Sequence, residues 1–265
     1  MRRLIVNADD FGWSESVNRG IIDCYRYGIV TSTSLLATGF AFDGAISLAK
    51  QNPGLKIGVH LNFYRGEPLL PESGRLPESV PRFVLGMLAG KSKLEIIERE
   101  FRAQIEKVKI AGLKISHLNS EKHLHHWPSI FELVCRLASE YKIPYVRLVR
   151  ERFSLNSVSV VLTLFSNYNA KVLSKYGLTG ADRTIGVSEC PADLVALERL
   201  LKGVKDNTTE FIVHPGYLDD EFWQLQKNVN NKLTYSRKAE MITLSSVEAR
   251  KLIQKYEISL NRNTA

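Results

Sequence analysis

Cysteine is scarce in this chain of 265 residues: Cys24, Cys135 and Cys190 are odd in number and far apart. No Cys-x-x-Cys pair occurs, which excludes a disulfide framework and a thiolate zinc site, and the three read as buried apolar fillers. Long hydrophobic runs are missing as well. Stretches such as "SVVLTLF" from Ser159 fall far short of the roughly 18 apolar residues that cross a bilayer. The opening "MRRLIVNADDFG" places two aspartates directly behind a short apolar run, a pattern that does not fit a signal peptide. The expectation is a soluble, cytoplasmic protein. Also absent are basic runs interleaved with stacking aromatics. The net charge of +8 and pI near 9.3 come from scattered Lys and Arg, so nucleic acid is not an expected partner. A solvated basic surface is the reading, one that favours an anionic substrate or a peripheral contact with a bilayer face.

What is present is enough apolar residue, 44% of the chain, to bury a large core, and a repeated alternation of short β-rich runs with helical segments. "RLIVNADD", "IVTSTSLLA", "KIGVHLNF", "KISHLNSE", "YVRLVR" and "EFIVHPG" read as strands. Between them lie helical patterns, among them "ESVNRGIIDCYRYG", capped by Ser14 and closed by Gly28, an amphipathic helix from Lys93 to Ala111 and another started by Pro128. Such βα units require parallel strands with crossover helices. No linker or repeat divides residues 1–265, so one domain is expected, with a long Pro- and Gly-rich loop at about 64–92.

Polar residues separate the two parallel architectures. Asp9 and Asp10 end the first strand, His60 the third, His117 to Glu121 the fourth; Arg147 lies late in the fifth, and His214 ends the last. Ionisable groups at the C-terminal ends of several parallel strands converge only on the active face of a barrel. An open doubly wound sheet would carry a glycine-rich phosphate turn after its first strand, and none is there. The expected fold class is therefore α/β, a single-domain, irregular (β/α) TIM-like barrel.

Each residue has a plainer reading: adjacent aspartates form turns, and a lone histidine is usually a satisfied half-buried side chain. Their shared position tips the balance. Asp and His from separate strands, with a further His or carboxylate, can supply three ligands to a divalent ion and leave positions open for water and substrate. "SHLNSEKHLHHWP" adds weight, holding four of the six histidines.

"IVNADDFG", "GIVTSTSLL", "IGVHLN", "SHLNSEKHLHHWP" and "HPGY" together resemble the YdjC-like (ChbG/HpnK) carbohydrate deacetylases, from Leu4 to about Ser246. The resemblance implies a distorted (β/α) barrel that uses a divalent metal to remove the acetyl group from an acetylated amino-sugar substrate. It makes Asp10 and His60 metal ligands, Asp9 the base and His214 the acid. This sequence departs from the family's Thr-His-Leu-Asp-Ser-His-x-His-x-His pattern: Asn119 replaces its Asp, and Glu121 stands where a ligand His is expected. Either Glu121 is the third ligand, to Mg²⁺ or Zn²⁺ with Mn²⁺ or Co²⁺ as further candidates, its carboxylate tilting preference toward oxygen-loving ions such as Mg²⁺ or Mn²⁺; or the loop shifts and His123 or His125 takes its place; or the metal is weakly held and the activity altered. Otherwise His117 lies behind the ligands and His123 and His125 line the pocket. Arg147 orients Asp9, holds substrate or forms a structural ion pair. Trp127 and Tyr217 offer rings for sugar stacking, and a homodimer is the expected assembly.

Overall fold

The computed structural model describes residues 1–64, 66–74, 76–77, 79–88, 91–151, 157–226 and 232–261. Its frame is a parallel sheet of β1 (Arg2–Phe11), β2 (Ser32–Leu35), β3 (Lys56–Leu61), β4 (Ile115–Ser120), β5 (Tyr145–Val146), β6 (Arg183–Ile185) and β7 (Thr208–Val213). The strands run in the order β5-β4-β3-β2-β1-β7-β6, and a short β8 (Ile258–Leu260) pairs with the start of β1. The sheet curls until its outer strands approach. Tyr145 and Thr179 form a parallel bridge, the Val146 N–H donates to the Thr179 carbonyl at 3.0 Å, and the Thr184 N–H donates to Arg150 O at 3.1 Å. The expected irregular α/β barrel is thus a seven-stranded, loosely seamed one.

Crossover helices cover its outside: α1 (Glu15–Arg26), α2 (Phe42–Gln51), α3 (Val80–Leu88), α4 (Lys91–Ile110), α5 (Pro128–Glu140), α6 (Ser157–Lys175) and α7 (Leu194–Lys202). After β7 come α8 (Asp220–Gln226), α9 (Lys232–Ser245) and α10 (Val247–Lys255), which precede β8. The Ser14 cap is as expected, its hydroxyl accepting from the Val17 N–H at 3.2 Å. Gly28 acts differently from the expected left-handed cap: a Cβ there would lie 2.0 Å from the Leu244 carbonyl oxygen, so glycine lets α9 approach. The described residues of 64–92, expected as a loop, include a 3-10 turn (Pro71–Ser73) and α3, where Leu76 and Phe83 are buried.

Side chains alternate across a strand, and here the alternation divides the molecule in two. Leu4, Val6 and Ala8 of β1, Val59 and Leu61 of β3, Leu118 of β4 and Phe211 and Val213 of β7 join the main apolar core with the helices. The intervening positions carry Asn7 and Asp9, Ser32 and Ser34, Gly58 and His60, His117 and Asn119, Tyr145 and Arg147, and Glu210. Glycine aside, all are buried. They fill the barrel interior so closely that a cavity of only about 10 Å³ remains among Ile5, Asn7, Ser32, His117, Tyr145 and Glu210.

Candidate active site

Asp9 and Asp10 are neighbours on one strand and should point to opposite faces, yet both serve the same end of the barrel. The register with β2 shifts between Ala8 and Phe11, and Asp10 takes a left-handed backbone, φ 72°. Such a bulge re-aims the residue it displaces, and Asp tolerates positive φ better than most residues. Asp10 thereby turns toward His60, its Oδ1 3.6 Å from His60 Nε2. Glu121, directly after β4, brings Oε2 to 3.4 Å of the same nitrogen. One ligand atom from each of Asp10, His60 and Glu121 lies within 4.8 Å of the other two. Lys122 and His123, with φ of 52° and 56°, bend the 3-10 turn (Glu121–His126) away behind it.

This donor set fits a divalent cation: two carboxylate oxygens and one imidazole nitrogen converge from three elements. Burial alone would lower the basicity of His60, but Asp9, the hydrogen bond to Glu121, and Asp10 raise its pKa to about 9. The site draws in positive charge, as a proton or as a metal. Burial would raise the Asp10 carboxyl; Arg237, then His214 and His60, hold it well below the usual carboxylate range. The Arg237 guanidinium pairs with Asp10 Oδ2.

Asp9 sits deeper. Its Oδ1 accepts from Asn7 Nδ2 at 2.8 Å, Arg147 Nη2 at 2.8 Å and Asn119 Nδ2 at 3.3 Å, and its Oδ2 from Arg147 Nη1 at 2.7 Å. Burial opposes ionisation, but Arg147 foremost, with His60 and His214, keeps Asp9 ionised well below its ordinary pKa. Arg147 is itself completely enclosed. Its Nε donates to Glu210 Oε1 at 2.7 Å, and Tyr145 OH donates to Glu210 Oε2 at 2.7 Å. It is a buried counter-ion to two carboxylates.

His214 is half-buried at the end of β7, within electrostatic reach of both aspartates. Its backbone N–H donates to Glu240 Oε2 at 2.7 Å, and its carbonyl accepts from Arg237 Nη1 at 3.4 Å. The other histidines divide. His125 is fully buried, with Nδ1 2.7 Å from Ser120 Oγ and Nε2 3.0 Å from Arg147 O, so neither nitrogen is left for a pocket or a metal. His126 Nε2 accepts from the Val149 N–H at 3.0 Å. His123 Nδ1 is shielded and has no hydrogen-bond partner; burial first, then Arg147, keeps that ring neutral by lowering its pKa well below the usual value. His117 lies inside the barrel beside Ser34. Trp127 packs edge-on to Phe165, ring centroids 6.0 Å apart, and the Tyr217 hydroxyl donates to Asp23 Oδ2 at 2.6 Å.

Sequence reasoning missed Glu210, Arg237 and Glu240. Glu210 was open to detection, since it shares its strand face with His214 at period two. Arg237 and Glu240 are spaced i, i+3 on α9, a common pattern for an exposed ion pair, yet both are buried.

Residues 3–255 match the family described as YdjC-like protein. A carbohydrate deacetylase of Brevibacillus brevis is 32% identical over 263 residues, covering 97% of each chain. Carbohydrate deacetylase 1 of Listeria innocua is 32% identical over 270 residues, again with 97% of each covered. A crystal structure from Enterococcus faecalis, solved under the provisional description of a cellobiose-phosphate cleavage protein, superposes with a TM-score of 0.76 at 25% identity and covers 98% of this chain and 96% of its own. On the match over residues 3–255 and these near-full-length relatives, the chain belongs to the YdjC-like protein family.

Proposed function

We propose that this protein is a divalent-metal-dependent carbohydrate deacetylase that hydrolyses the N-acetyl amide of an acetylated amino sugar and releases acetate. The observation that carries the reading is the convergence of Asp10, His60 and Glu121 beside an ionised Asp9 and within reach of His214, in a chain whose full-length relatives carry the name carbohydrate deacetylase. A cation held by Asp10, His60 and Glu121 would supply Lewis acidity toward the acetyl carbonyl and the attacking water. Glu121 in place of an imidazole favours harder ions, Mg²⁺ or Mn²⁺, over Zn²⁺ or Co²⁺.

This chain's own groups do the proton work. Asp9 Oδ2 accepts one hydrogen bond from Arg147, which leaves it lone-pair capacity for the proton of water attacking the amide carbon. The proton that the departing amine needs comes from His214, since an unprotonated amine is a poor leaving group. Arg147 and Asn119 hold the Asp9 carboxylate in place, and Arg237 pairs with Asp10. The reaction belongs in the cytoplasm, a setting supported by three cysteines that are all free thiols.

Acetate release from N-acetylglucosamine oligosaccharides, phosphorylated disaccharides and lipid-linked amino sugars tests the reading, using chelated protein reconstituted with Mg²⁺, Mn²⁺, Zn²⁺ or Co²⁺. Phosphorylated sugars belong on the panel because of the +8 net charge and the description attached to the Enterococcus faecalis structure. Acetate that appears only with metal supports the proposal. Release of phosphate without acetate moves the assignment to another hydrolase of the same fold.

A further inference from the structure

Inside the barrel, a line of buried polar side chains runs from a backbone carbonyl on β3 to the back of His60, and every hydrogen in it can be placed. It starts at Ser116, whose hydroxyl contacts Ile57 O at 2.9 Å and His117 Nδ1 at 2.9 Å. A carbonyl oxygen only accepts, so the single Ser116 proton goes to Ile57, and Ser116 Oγ must accept from His117 Nδ1–H. His117 is neutral, since burial first, with Arg147 adding to it, lowers its pKa to about 3. Its Nε2 is therefore an acceptor, and takes the Ser34 hydroxyl proton across 3.0 Å.

With its proton spent, Ser34 Oγ can only accept. It receives Asn7 Nδ2 at 2.8 Å and Asn119 Nδ2 at 2.7 Å, which fills both lone pairs. The second hydrogen of each amide goes to Asp9 Oδ1, and Asn7 Oδ1 accepts from Ser32 Oγ at 2.7 Å. The orientation of the Asn119 amide follows: its nitrogen faces two acceptors, so its oxygen faces His60 Nδ1, at 2.8 Å. An amide oxygen cannot donate, so Nδ1 of His60 must carry a proton. The line has room only because β3 has glycine at position 58, where a Cβ would lie 2.3 Å from His117 Nε2.

We propose that Ser116, His117, Ser34 and Asn119 form a one-way hydrogen-bond chain whose task is to keep the hydrogen of His60 on Nδ1, so that Nε2, the nitrogen facing Asp10 and Glu121, is the one offered to a metal. These are positioning residues: none touches the metal ligands' open side, and only Asn119 touches a ligand at all. Groups that bond the outer nitrogen of a ligating histidine fix its ring orientation and raise its basicity, an effect worth 10–100-fold in metal affinity. The chain also explains why an amide serves at position 119: a carboxylate would accept from His60 equally well but could donate to neither Asp9 nor Ser34.

The inference rests on the metal reading of Asp10, His60 and Glu121, and two readouts keep their failures apart. The first needs no metal. Long-range ¹⁵N–¹H correlation spectra of the chelated protein at neutral pH, with His117 assigned through His117→Gln, should show a neutral His117 protonated on Nδ1. The Nε2–H form would overturn the chain's direction, and with it the proposal. The second is calorimetric titration of chelated protein with Zn²⁺. Asn119→Leu should weaken binding 10–100-fold, Ser34→Ala up to about 10-fold although it contacts no ligand, and Asn119→Asp should recover only part of the loss, because its oxygen accepts from His60 but it donates to neither Asp9 nor Ser34. A role confined to packing would lower the melting temperature of these variants and leave the Zn²⁺ Kd of the folded protein unchanged, and that result overturns the proposal. A wild-type protein that takes up no Zn²⁺ refutes the metal reading and the purpose given to the chain, while the His117 spectrum still reports the direction of its hydrogen bonds.

Discussion

The two faces of one strand behave as two different solvents. On β4, Leu118 points outward into a layer of aliphatic and aromatic side chains, where position is set by shape and each fully buried side chain contributes about 1.5–3 kcal/mol. Its neighbours His117 and Asn119 point inward, where no group is free to choose its partner and each proton is committed. The outer face tolerates loss in proportion to volume removed, whereas the inner face fails as a network, since one deleted partner strands a buried polar group. Stability is therefore drawn mainly from the outside of the barrel, and chemistry from the inside.

Substitutions can break that comparison, beginning with the largest effect. Asp9→Asn and His214→Ala should each lower kcat for acetate release by about 10²–10⁴-fold while leaving metal uptake in place, as measured by steady-state kinetics beside metal analysis; an active Asp9→Asn would remove it as the base. Arg147→Met leaves Asp9 and Glu210 buried without their counter-ion and should cost about 3–5 kcal/mol in urea unfolding, with activity lost as well. Leu118→Ala should cost about 2–5 kcal/mol by the same measurement, yet keep the Zn²⁺ affinity of the wild type. A Leu118→Ala that lost metal binding would show that the two faces are not separable.

A pH series sharpens the comparison more gently. The pKa of His60 is raised from 6.5 to about 9, so in metal-free protein its protonation contributes stability that is complete below pH 6.5 and is lost as pH rises through about 9. The melting temperature of chelated protein should decline across that window through this group, and His60→Gln should flatten the decline. Metal uptake in the same window should release a proton, seen as a buffer-dependent calorimetric enthalpy.

Much of the architecture was legible because parallel strands carry strong local signals. The β-rich runs located β1 to β5 and β7, and the ionisable residues at their ends gather at one end of the barrel. The period-two alternation that put Asp9, His60 and Arg147 inward also carried Asn7, Ser32, Ser34 and Glu210, which sequence reasoning passed over because Asn and Ser are common in turns and Glu210 precedes the apolar run Phe211–Val213. The bulge that turns Asp10 toward His60 depends on a shift in pairing with β2, a non-local event with no sequence mark beyond Gly12 nearby, whose φ is 89°. Arg237 reaches Asp10 across 227 positions of chain, from a helix whose charges look like an ordinary wet surface. Tertiary packing alone decides such contacts. Within the histidine cluster, His125 and His126 are buried and hydrogen-bonded, while Glu121, expected as a ligand, is the residue that converges with Asp10 and His60.

The most direct test of the central claim is metal uptake by chelated wild-type protein beside Asp10→Asn, His60→Ala, Glu121→Gln and Glu121→His, followed by calorimetry with Mn²⁺ and Zn²⁺. The account predicts one ion per wild-type chain, binding abolished in Asp10→Asn and His60→Ala, weakened in Glu121→Gln, and retained in Glu121→His with preference moved toward Zn²⁺. Full occupancy in His60→Ala, or wild-type affinity in Glu121→Gln, would contradict it.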